Sequence, residues 1–214
     1  MFLMNALYFK GTWTWQFEKD NTTMKPFTND IGGITSVETM SGSIPLWAHY
    51  DQDFNAIELF YGQSNFSMII VVPRTTIQDL LSRFDADSWE ELTGKFDAKT
   101  GDPGETDLLM PKFSFEYEKQ LKDNLSALGM IDAFDPGLAD LSGISDSDIY
   151  VNFVKQNTFV KVDEEGTEAA AVTTVGIYET SAGEPFVINK SFIFAIRERT
   201  SNTLLFIGKV MQPE

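Results

Sequence analysis

Apolar and aromatic residues recur along the chain in short runs, and the length of these runs predicts a protein built mainly of β-strands. The first run, residues 2–9, is almost uninterrupted, which is typical of a strand buried on both faces of a sheet. Two further runs, residues 56–61 and 66–73, flank the segment from Gly62 to Asn65. The length and turn-forming residues of that segment predict a β-hairpin.

The second half of the chain continues this pattern. Residues 107–117 predict one strand in which apolar side chains alternate from Phe113 onward, and residues 149–164 predict a long strand. Residues 191–198 and 203–210 predict a final antiparallel pair, because a short polar turn separates them.

Helical patterns are few and short, covering residues 76–84, 86–96 and 119–130. Asp87 is the predicted N-terminal cap of the second helix, and Gly129 is the predicted C-terminal cap of the third. Two glycine- and aspartate-rich stretches are predicted loops, namely residues 98–107 and 134–148. No repeat or low-complexity linker divides the chain, so we predict a mixed, β-rich α+β fold in one domain spanning residues 1–214.

Composition excludes several classes of partner and site. Hydrophobic residues make up 43% of the 214 residues, enough for a sizeable core. A net charge of −16 argues against nucleic acid and anionic membrane surfaces, because both require clustered Lys and Arg. The absence of cysteine excludes disulfides, thiol nucleophiles and cysteine-ligated metals, and no apolar run approaches the ~20 residues of a membrane span.

The residues of the chain offer little for catalysis. His49 is the single histidine, and no serine lies in a nucleophile-elbow motif with which it could form a triad. Zinc sites usually need several His or Cys ligands, so we predict no metal and no cofactor. A glycosidase needs only two well-placed carboxylates, and a β-rich carbohydrate-active enzyme therefore stays open as a minor alternative. Our main prediction is that the protein is not an enzyme.

The segment from Glu164 to Phe186 has unusually little side-chain bulk. Seven of the nine residues from Gly166 to Thr174 are Gly, Ala or Thr. In an extended conformation the odd-numbered positions from Thr167 to Val175 would form one small, uncharged face, which could join a sheet at modest steric cost. The alternative is a short surface helix or a linker, because Glu-Ala-Ala-Ala also favours a helix.

Five segments of the chain, taken in order, match one known pattern. They are NALYFKGTW at 5–13, SMIIVVP at 67–73, LMPKFSFEYEKQLKDNLSALGMIDAF at 109–134, FVKVDEEGTEAAA at 159–171 and FVINKSFIFAIRERTSNTLLFIGKVMQP at 186–213. Together these segments resemble the serpins, a family of suicide protease inhibitors. The resemblance covers the whole chain and implies a serpin-like fold with several sheets. It also implies an inhibitor, with a non-inhibitory binding or carrier protein of the same fold as the alternative.

The resemblance implies a reactive-centre loop with a small-residue hinge at its start. The implied hinge residues are Glu164, Gly166, Thr167, Ala169, Ala170 and Ala171. The family's hinge glycine stands fifteen residues before the scissile bond, which places that bond between Thr180 and Ser181. Thr180 would suit an elastase-like pocket, while slipped cleavage at Tyr178 or Glu179 would suit a chymotrypsin-like or an acid-preferring protease.

Three further residues are implied to control opening of the central sheet. Asn5 corresponds to the family's shutter asparagine, and Gln156 stands where the family has a histidine. Glutamine can still donate and accept hydrogen bonds, but it cannot sense pH. Trp13 corresponds to a tryptophan at the top of the sheet, where insertion of the cut loop would begin.

The resemblance also implies that the chain is the C-terminal part of a serpin domain, since family members are nearly twice as long. Their additional N-terminal portion is mostly helical, and we expect such a segment to act as a partner of this chain. The other expected partner is a serine protease of the elastase, chymotrypsin or subtilisin type, with cysteine proteases as a further class. We expect an extracellular location, although residues 1–13 lack the basic leader of a signal peptide.

Overall fold

The computed structural model describes residues 1–167 and 184–213, and every structural statement below concerns those residues. They form thirteen strands, three short α-helices and two 3-10 helices at Lys19–Asn21 and Asp132–Phe134. The strands are β1 Phe2–Tyr8, β2 Gly11–Thr12, β3 Thr23–Thr28, β4 Ile34–Tyr50, β5 Phe54–Tyr61, β6 Phe66–Pro73, β7 Gly104–Pro111, β8 Phe113–Gln120, β9 Phe153–Asp163, β10 Gly166–Thr167, β11 Phe186–Val187, β12 Phe192–Glu198 and β13 Thr203–Val210. The helices are α1 Ile77–Leu81, α2 Ala86–Asp97 and α3 Lys122–Ala127. This β-rich architecture confirms the predicted fold class.

The chain divides into two compact units. The first combines Met1–Phe9 with Phe115–Val160, and the second combines Lys10–Ser114 with Lys161–Glu214. β9 begins in the first unit, and its last three residues belong to the second. The single domain over residues 1–214 stays a prediction.

In the first unit, β1 and β9 are direct neighbours in a parallel pair. Their register runs from Phe2 opposite Phe153 to Tyr8 opposite Phe159, and β8 also pairs with β9. Aromatic rings reinforce both ends of the pair, with centroids 4.7 Å apart at Phe2 and Phe153 and 6.3 Å apart at Tyr8 and Phe159. The predicted strand at the start of the chain is therefore present.

This chain does not provide the burial predicted for β1. All seven of its residues are exposed, with 75% of Met4 and 63% of Phe2 accessible to solvent. An apolar run indicates that a strand can be buried, but burial also requires an element that packs on its faces. Pairing with β9 satisfies backbone groups along one edge of β1 and leaves its side chains uncovered.

The second unit contains an extended sheet in the order β11-β7-β4-β5-β6-β12-β13, with β3 also paired to β4. β5 and β6 form the predicted hairpin, and β12 and β13 form the predicted final pair. Helices α1 and α2 pack on this sheet around a buried cluster comprising Ala56, Ile69, Val71, Ile77, Leu80, Leu92, Phe96 and Ile193.

Several boundaries differ from those predicted by the sequence. The expected loop at residues 98–107 gives way at Gly104 to β7, which pairs with β4, and the expected single strand at 107–117 is interrupted at Lys112. Helix α2 is capped by Asp85 rather than Asp87, because the Asp85 carboxylate accepts a 3.0 Å hydrogen bond from the backbone N–H of Ser88. Helix α3 is shorter than predicted.

A charge network lies inside the second unit. The guanidinium of Arg197 donates hydrogen bonds to Glu58 at 2.8 Å and to Asp97 at 2.6 Å, and the side chains of Arg197 and Glu58 are completely buried. The hydroxyl of Ser67 donates to the same Glu58 oxygen at 2.7 Å. Buried charges of this kind are tolerated only when they are paired. Because its members lie on β5, on β12 and at the end of α2, the network links these three elements.

Candidate functional site

β9 turns back on itself at Glu164 and Glu165, and the chain then continues as β10. β10 lies between two strands: Gly166 is opposite Asp163 of β9 and Thr12 of β2, while Thr167 is opposite Val162 and Gly11. Gly166 and Thr167 of the predicted hinge are thus already paired on both sides. We refer to Gly11, Thr12, Trp13 and Tyr61, which surround them, as the hinge seat.

Only glycine fits at position 166. Its φ of +142° lies in a region that residues with a side chain rarely adopt. A Cβ atom there would collide with the backbone carbonyl oxygen of Gly11 and lie 2.8 Å from both Thr12 Cα and Trp13 N. The close approach of β2 to β10 therefore requires the hinge glycine.

Thr167 is completely buried and held by a side-chain hydrogen bond. Its Oγ1 lies 2.7 Å from the phenolic oxygen of Tyr61, and either hydroxyl can be the donor. Burial raises the pKa of the Tyr61 phenol far above its usual value, so the phenol stays protonated. A protonated phenol and a neutral threonine make this contact independent of pH over the physiological range.

Trp13, the residue after β2, packs against Tyr61 and so supports the contact between Tyr61 and Thr167. Its ring stacks on Tyr61 with centroids 4.4 Å apart, and its Nε1 donates a 3.0 Å hydrogen bond to the carbonyl oxygen of Asp163. The backbone N–H of Trp13 donates to the carbonyl oxygen of Glu165 at 2.9 Å. Trp13 therefore contacts Tyr61 and one side of the turn between β9 and β10 through its side chain, and the other side of that turn through its backbone N–H.

Ion pairs fix the two glutamates of the turn. Glu164 accepts a 2.6 Å hydrogen bond from the Thr22 hydroxyl and lies 3.4 Å from Lys112 Nζ, while Glu165 pairs with Lys19 at 2.5 Å. Burial alone would raise the pKa of the Glu164 carboxyl, but the hydrogen bond from Thr22 and the charge of Lys112 together lower it. Glu164 is therefore held in its ionised form.

Asn5 and Gln156 lie in the first unit, on neighbouring strands. They are directly opposite each other in the β1–β9 register. The Asn5 side chain is exposed, and the half-buried Gln156 side chain donates a 3.4 Å hydrogen bond to the hydroxyl of Thr158. Their role in opening the sheet stays a prediction.

The described residues include only part of the predicted site. In the second unit, Glu164, Gly166, Thr167 and Trp13 are brought together at the hinge seat. Apart from Asn5 and Gln156, the other predicted residues lie outside the described ranges, namely Ala169, Ala170, Ala171, Tyr178, Glu179, Thr180 and Ser181. The reactive bond therefore stays a prediction.

Four contact residues were not singled out by the sequence, namely Tyr61, Thr22, Lys112 and Lys19. Tyr61 precedes Thr167 by 106 positions and Thr22 precedes Glu164 by 142, so no local pattern links them to the hinge. Lys112 does lie within the Pro-Lys-Phe motif of the resemblance, but its pairing with Glu164 depends on the three-dimensional fold.

His49 lies on β4, beside an acidic and an aromatic side chain. Its ring lies 3.8 Å from an oxygen of Asp51 and packs near Phe54, and burial and the nearby charge of Lys95 lower its pKa. Within residues 1–167 and 184–213, no group of three or more His, Asp or Glu side chains could hold a metal ion. No helix in those ranges has the length and apolar character needed to span a membrane.

Known proteins are similar to this chain in sequence and in fold. A family model described as Serpin (serine protease inhibitor) matches residues 1–213. Serpin B10 of Otolemur garnettii is 36% identical over 218 residues, which cover 100% of this chain and 55% of that protein. The leukocyte elastase inhibitor of Xenopus laevis is 34% identical over 221 residues, which cover 99% of this chain and 57% of that protein.

A solved structure agrees with these sequence matches. The native state of the thermophilic serpin Tengpin superposes with a TM-score of 0.79 at 30% identity, covering 99% of this chain and 55% of Tengpin. The chain thus spans about half the length of the relatives that it matches.

Proposed function

The chain belongs to the serpin family, and from that premise we propose that the protein inhibits a serine protease as a suicide substrate. The observation that carries the proposal is the hinge seat, which holds Gly166 and Thr167 between two strands while β1 and β9 are still directly paired. Pairing of Gly166 and Thr167 between two strands supports the proposal that the segment after them continues as a strand.

The proposed reaction begins as ordinary proteolysis. The catalytic serine of the protease attacks the carbonyl carbon of Thr180, the Thr180–Ser181 peptide bond breaks, and an ester joins Thr180 to the enzyme. The proton of the serine hydroxyl passes through the protease's general base to the departing amine of Ser181. The chain is then cut but remains covalently attached to the protease through its new end.

The free energy for trapping would come from strand insertion. Residues 166–180 would enter between β1 and β9 as an added strand, a type of transition known for serpins. About a dozen new ladder hydrogen bonds at ~1 kcal/mol each would favour insertion by roughly 10 kcal/mol. That exceeds the ~3 kcal/mol associated with one oxyanion-hole donor, so the tethered protease would be distorted before it could hydrolyse the ester.

The predicted reactive bond suggests the class of target. Threonine is small and uncharged, which suits the shallow primary pocket of an elastase-like protease. The similarity to the leukocyte elastase inhibitor of Xenopus laevis supports the same class. Cleavage after Tyr178 or Glu179 would instead indicate a chymotrypsin-like or an acid-preferring target, and we propose that the encounter takes place outside the cell.

Incubation with elastase-, chymotrypsin- and subtilisin-like proteases tests the proposal. We would use the chain alone and the chain fused behind the residues of Tengpin that precede the matched region. We expect a complex that survives SDS and a released peptide that begins at Ser181. Cleavage of the loop without a trapped complex would indicate a non-inhibitory binding protein. Hydrolysis of a polysaccharide that is lost on mutating two carboxylates would indicate the enzyme alternative.

A further inference from the structure

We propose that Tyr61 is a positioning residue for trapping, because its hydrogen bond with Thr167 keeps the first hinge residues paired as a toehold from which insertion starts. The inference rests on the proposed function and adds to it a residue that the hinge motif does not include. Its basis is the 2.7 Å contact between two buried hydroxyl groups that lie 106 positions apart.

Backbone pairing alone holds β10 weakly. On one side it pairs with β2, which has two residues, and on the other side with the end of β9. Pairing with a strand as short as β2 is expected to open readily unless side chains hold it. Thr167 directly follows the hinge glycine, so its buried side chain secures the point from which further pairing would continue.

Tyr61 is itself well fixed and can act as the anchor. It is buried at the end of β5, stacks on Trp13, and takes part in a backbone bridge with Trp13. The N–H of Gly62, the next residue, donates to the carbonyl oxygen of Thr12 at 2.8 Å. The phenol is thus fixed in place before the hinge docks, and little conformational entropy is lost when Thr167 binds it.

A hinge that is already paired would affect two competing reactions of the acylated inhibitor, and their relative rates decide whether the protease is trapped. After acylation the loop either inserts and traps the protease, or the ester is hydrolysed and the cut inhibitor is released. Initiating a non-local strand pairing costs loop-closure entropy before any later pairing compensates for it. A hinge that is already paired has met that cost, so insertion starts sooner and trapping is favoured.

Three substitutions isolate the hydroxyl contact. Tyr61→Phe removes the phenolic oxygen and keeps the ring that stacks on Trp13, while Thr167→Val removes the hydroxyl and keeps the β-branched shape. Thr167→Ser keeps the hydroxyl and should therefore keep the contact. Tyr50→Phe is the matched control, because Tyr50 is exposed on β4 and lies outside the hinge seat.

The main measurement is the number of inhibitor molecules consumed per protease trapped, made on the full chain and on the Tengpin fusion. We expect Tyr61→Phe and Thr167→Val each to raise this number about fivefold to tenfold, as the loss of one hydrogen bond implies. The rate of the initial cleavage should stay within about twofold, because the contact acts after acylation. The double variant should resemble either single variant, since both remove the same contact.

Hydrogen–deuterium exchange provides a second measurement that needs no protease. The peptide containing Gly166 and Thr167 should exchange faster in Tyr61→Phe than in the wild type or in Tyr50→Phe. Unchanged exchange, or unchanged consumption per trapped protease, would overturn the toehold while leaving the proposed function standing. Faster initial cleavage with unchanged consumption would also overturn it, because the contact would then restrain the loop rather than start insertion.

Failure of the proposed function would be visible separately. If the wild type itself traps none of the proteases in either form, the proposed function and the toehold are both wrong. If Thr167→Ser traps the protease less efficiently than the wild type does, the shape of the side chain at position 167 controls trapping rather than the hydroxyl contact. The toehold is then overturned as well.

Discussion

The carboxylate of Glu164 accepts a 2.6 Å hydrogen bond from the hydroxyl of Thr22, a residue 142 positions earlier in the chain. The same carboxylate lies 3.4 Å from Lys112 Nζ, and Lys112 in turn lies 3.4 Å from Glu38. Glu164, the first residue of the turn between β9 and β10, is therefore held by groups from two separate parts of the second unit. These contacts and the buried seat of Gly166 and Thr167 can be tested one residue at a time.

Replacement of Glu164 by Gln should destabilise the fold in a pH-dependent manner. The lowered pKa of Glu164 means that its stabilisation is complete above its ordinary value of 4.5 and is lost as pH falls through the lower folded value. Burial lowers the pKa of Lys112, but Glu164 and Glu38 raise it above its ordinary 10.5, so the contribution of Lys112 is complete below 10.5 and is lost as pH rises further. The loss should be about 1–2 kcal/mol between these limits.

Chemical denaturation of the wild type and of Glu164→Gln at a series of pH values measures this difference. Glu105→Gln, at an exposed position of β7, is the control and should change the free energy of unfolding little at any pH. A difference that is constant from pH 3 to pH 7 would show that ionisation of Glu164 does not contribute.

Gly166→Ala should disrupt the hinge seat. The added Cβ would meet backbone atoms of Gly11, Thr12 and Trp13, and the positive φ would add strain of about 1–3 kcal/mol. We expect a lower free energy of unfolding and faster amide exchange at Thr167. The matched control is Gly104→Ala, since a Cβ at that position meets nothing within 4 Å. Equal effects of the two substitutions would contradict the close approach of β2 and β10.

Thr167→Arg should convert an inhibitor into a substrate. Thr167 is completely buried in β10, and a guanidinium cannot occupy that position without an unpaired buried charge. We therefore expect the loop to be cut at its normal rate while the SDS-stable complex disappears from gels of the protease reaction. Thr23→Arg, at an exposed position of β3, should leave trapping intact. Undiminished trapping by Thr167→Arg would mean that the hinge does not insert as a strand.

Arg197→Met should lower the free energy of unfolding by about 3 kcal/mol, because it leaves the buried Glu58 without its main charge partner. Adding Glu58→Leu should recover part of the loss by removing the uncompensated charge. Arg83→Met is the control, since the Arg83–Asp53 pair is exposed and should contribute less than about 1 kcal/mol. Denaturant titration measures all of these values, and equal losses for Arg197→Met and Arg83→Met would refute the role of burial.

The strands that the sequence predicted correctly are those whose pattern is local. The hairpin of β5 and β6 follows from two apolar runs and four turn residues, and the pair β12–β13 follows in the same way. The seventeen-residue strand β4 was not predicted. Its run of Thr, Ser and Gly residues lacks an apolar period, and it is held in the sheet by pairing with β3, β5 and β7.

The residues of the candidate site also differ in whether a local sequence pattern identifies them. Gly166 and Thr167 could be recognised from the sequence because the hinge is a contiguous motif of small residues. Tyr61, Thr22 and Lys19 could not, because nothing in their own surroundings distinguishes them from other polar residues on strand ends and turns.

The sequence by itself determined the family, the β-rich class and the position of a small-residue hinge, since each depends on residues close together in the chain. The tertiary structure alone decided that Gly166 is enclosed by β2, that Thr167 meets Tyr61, and that β1 is exposed. Those outcomes depend on which distant segments pack together. Packing brings atoms within contact distance regardless of their separation along the chain, and no local pattern of residues encodes such a distance.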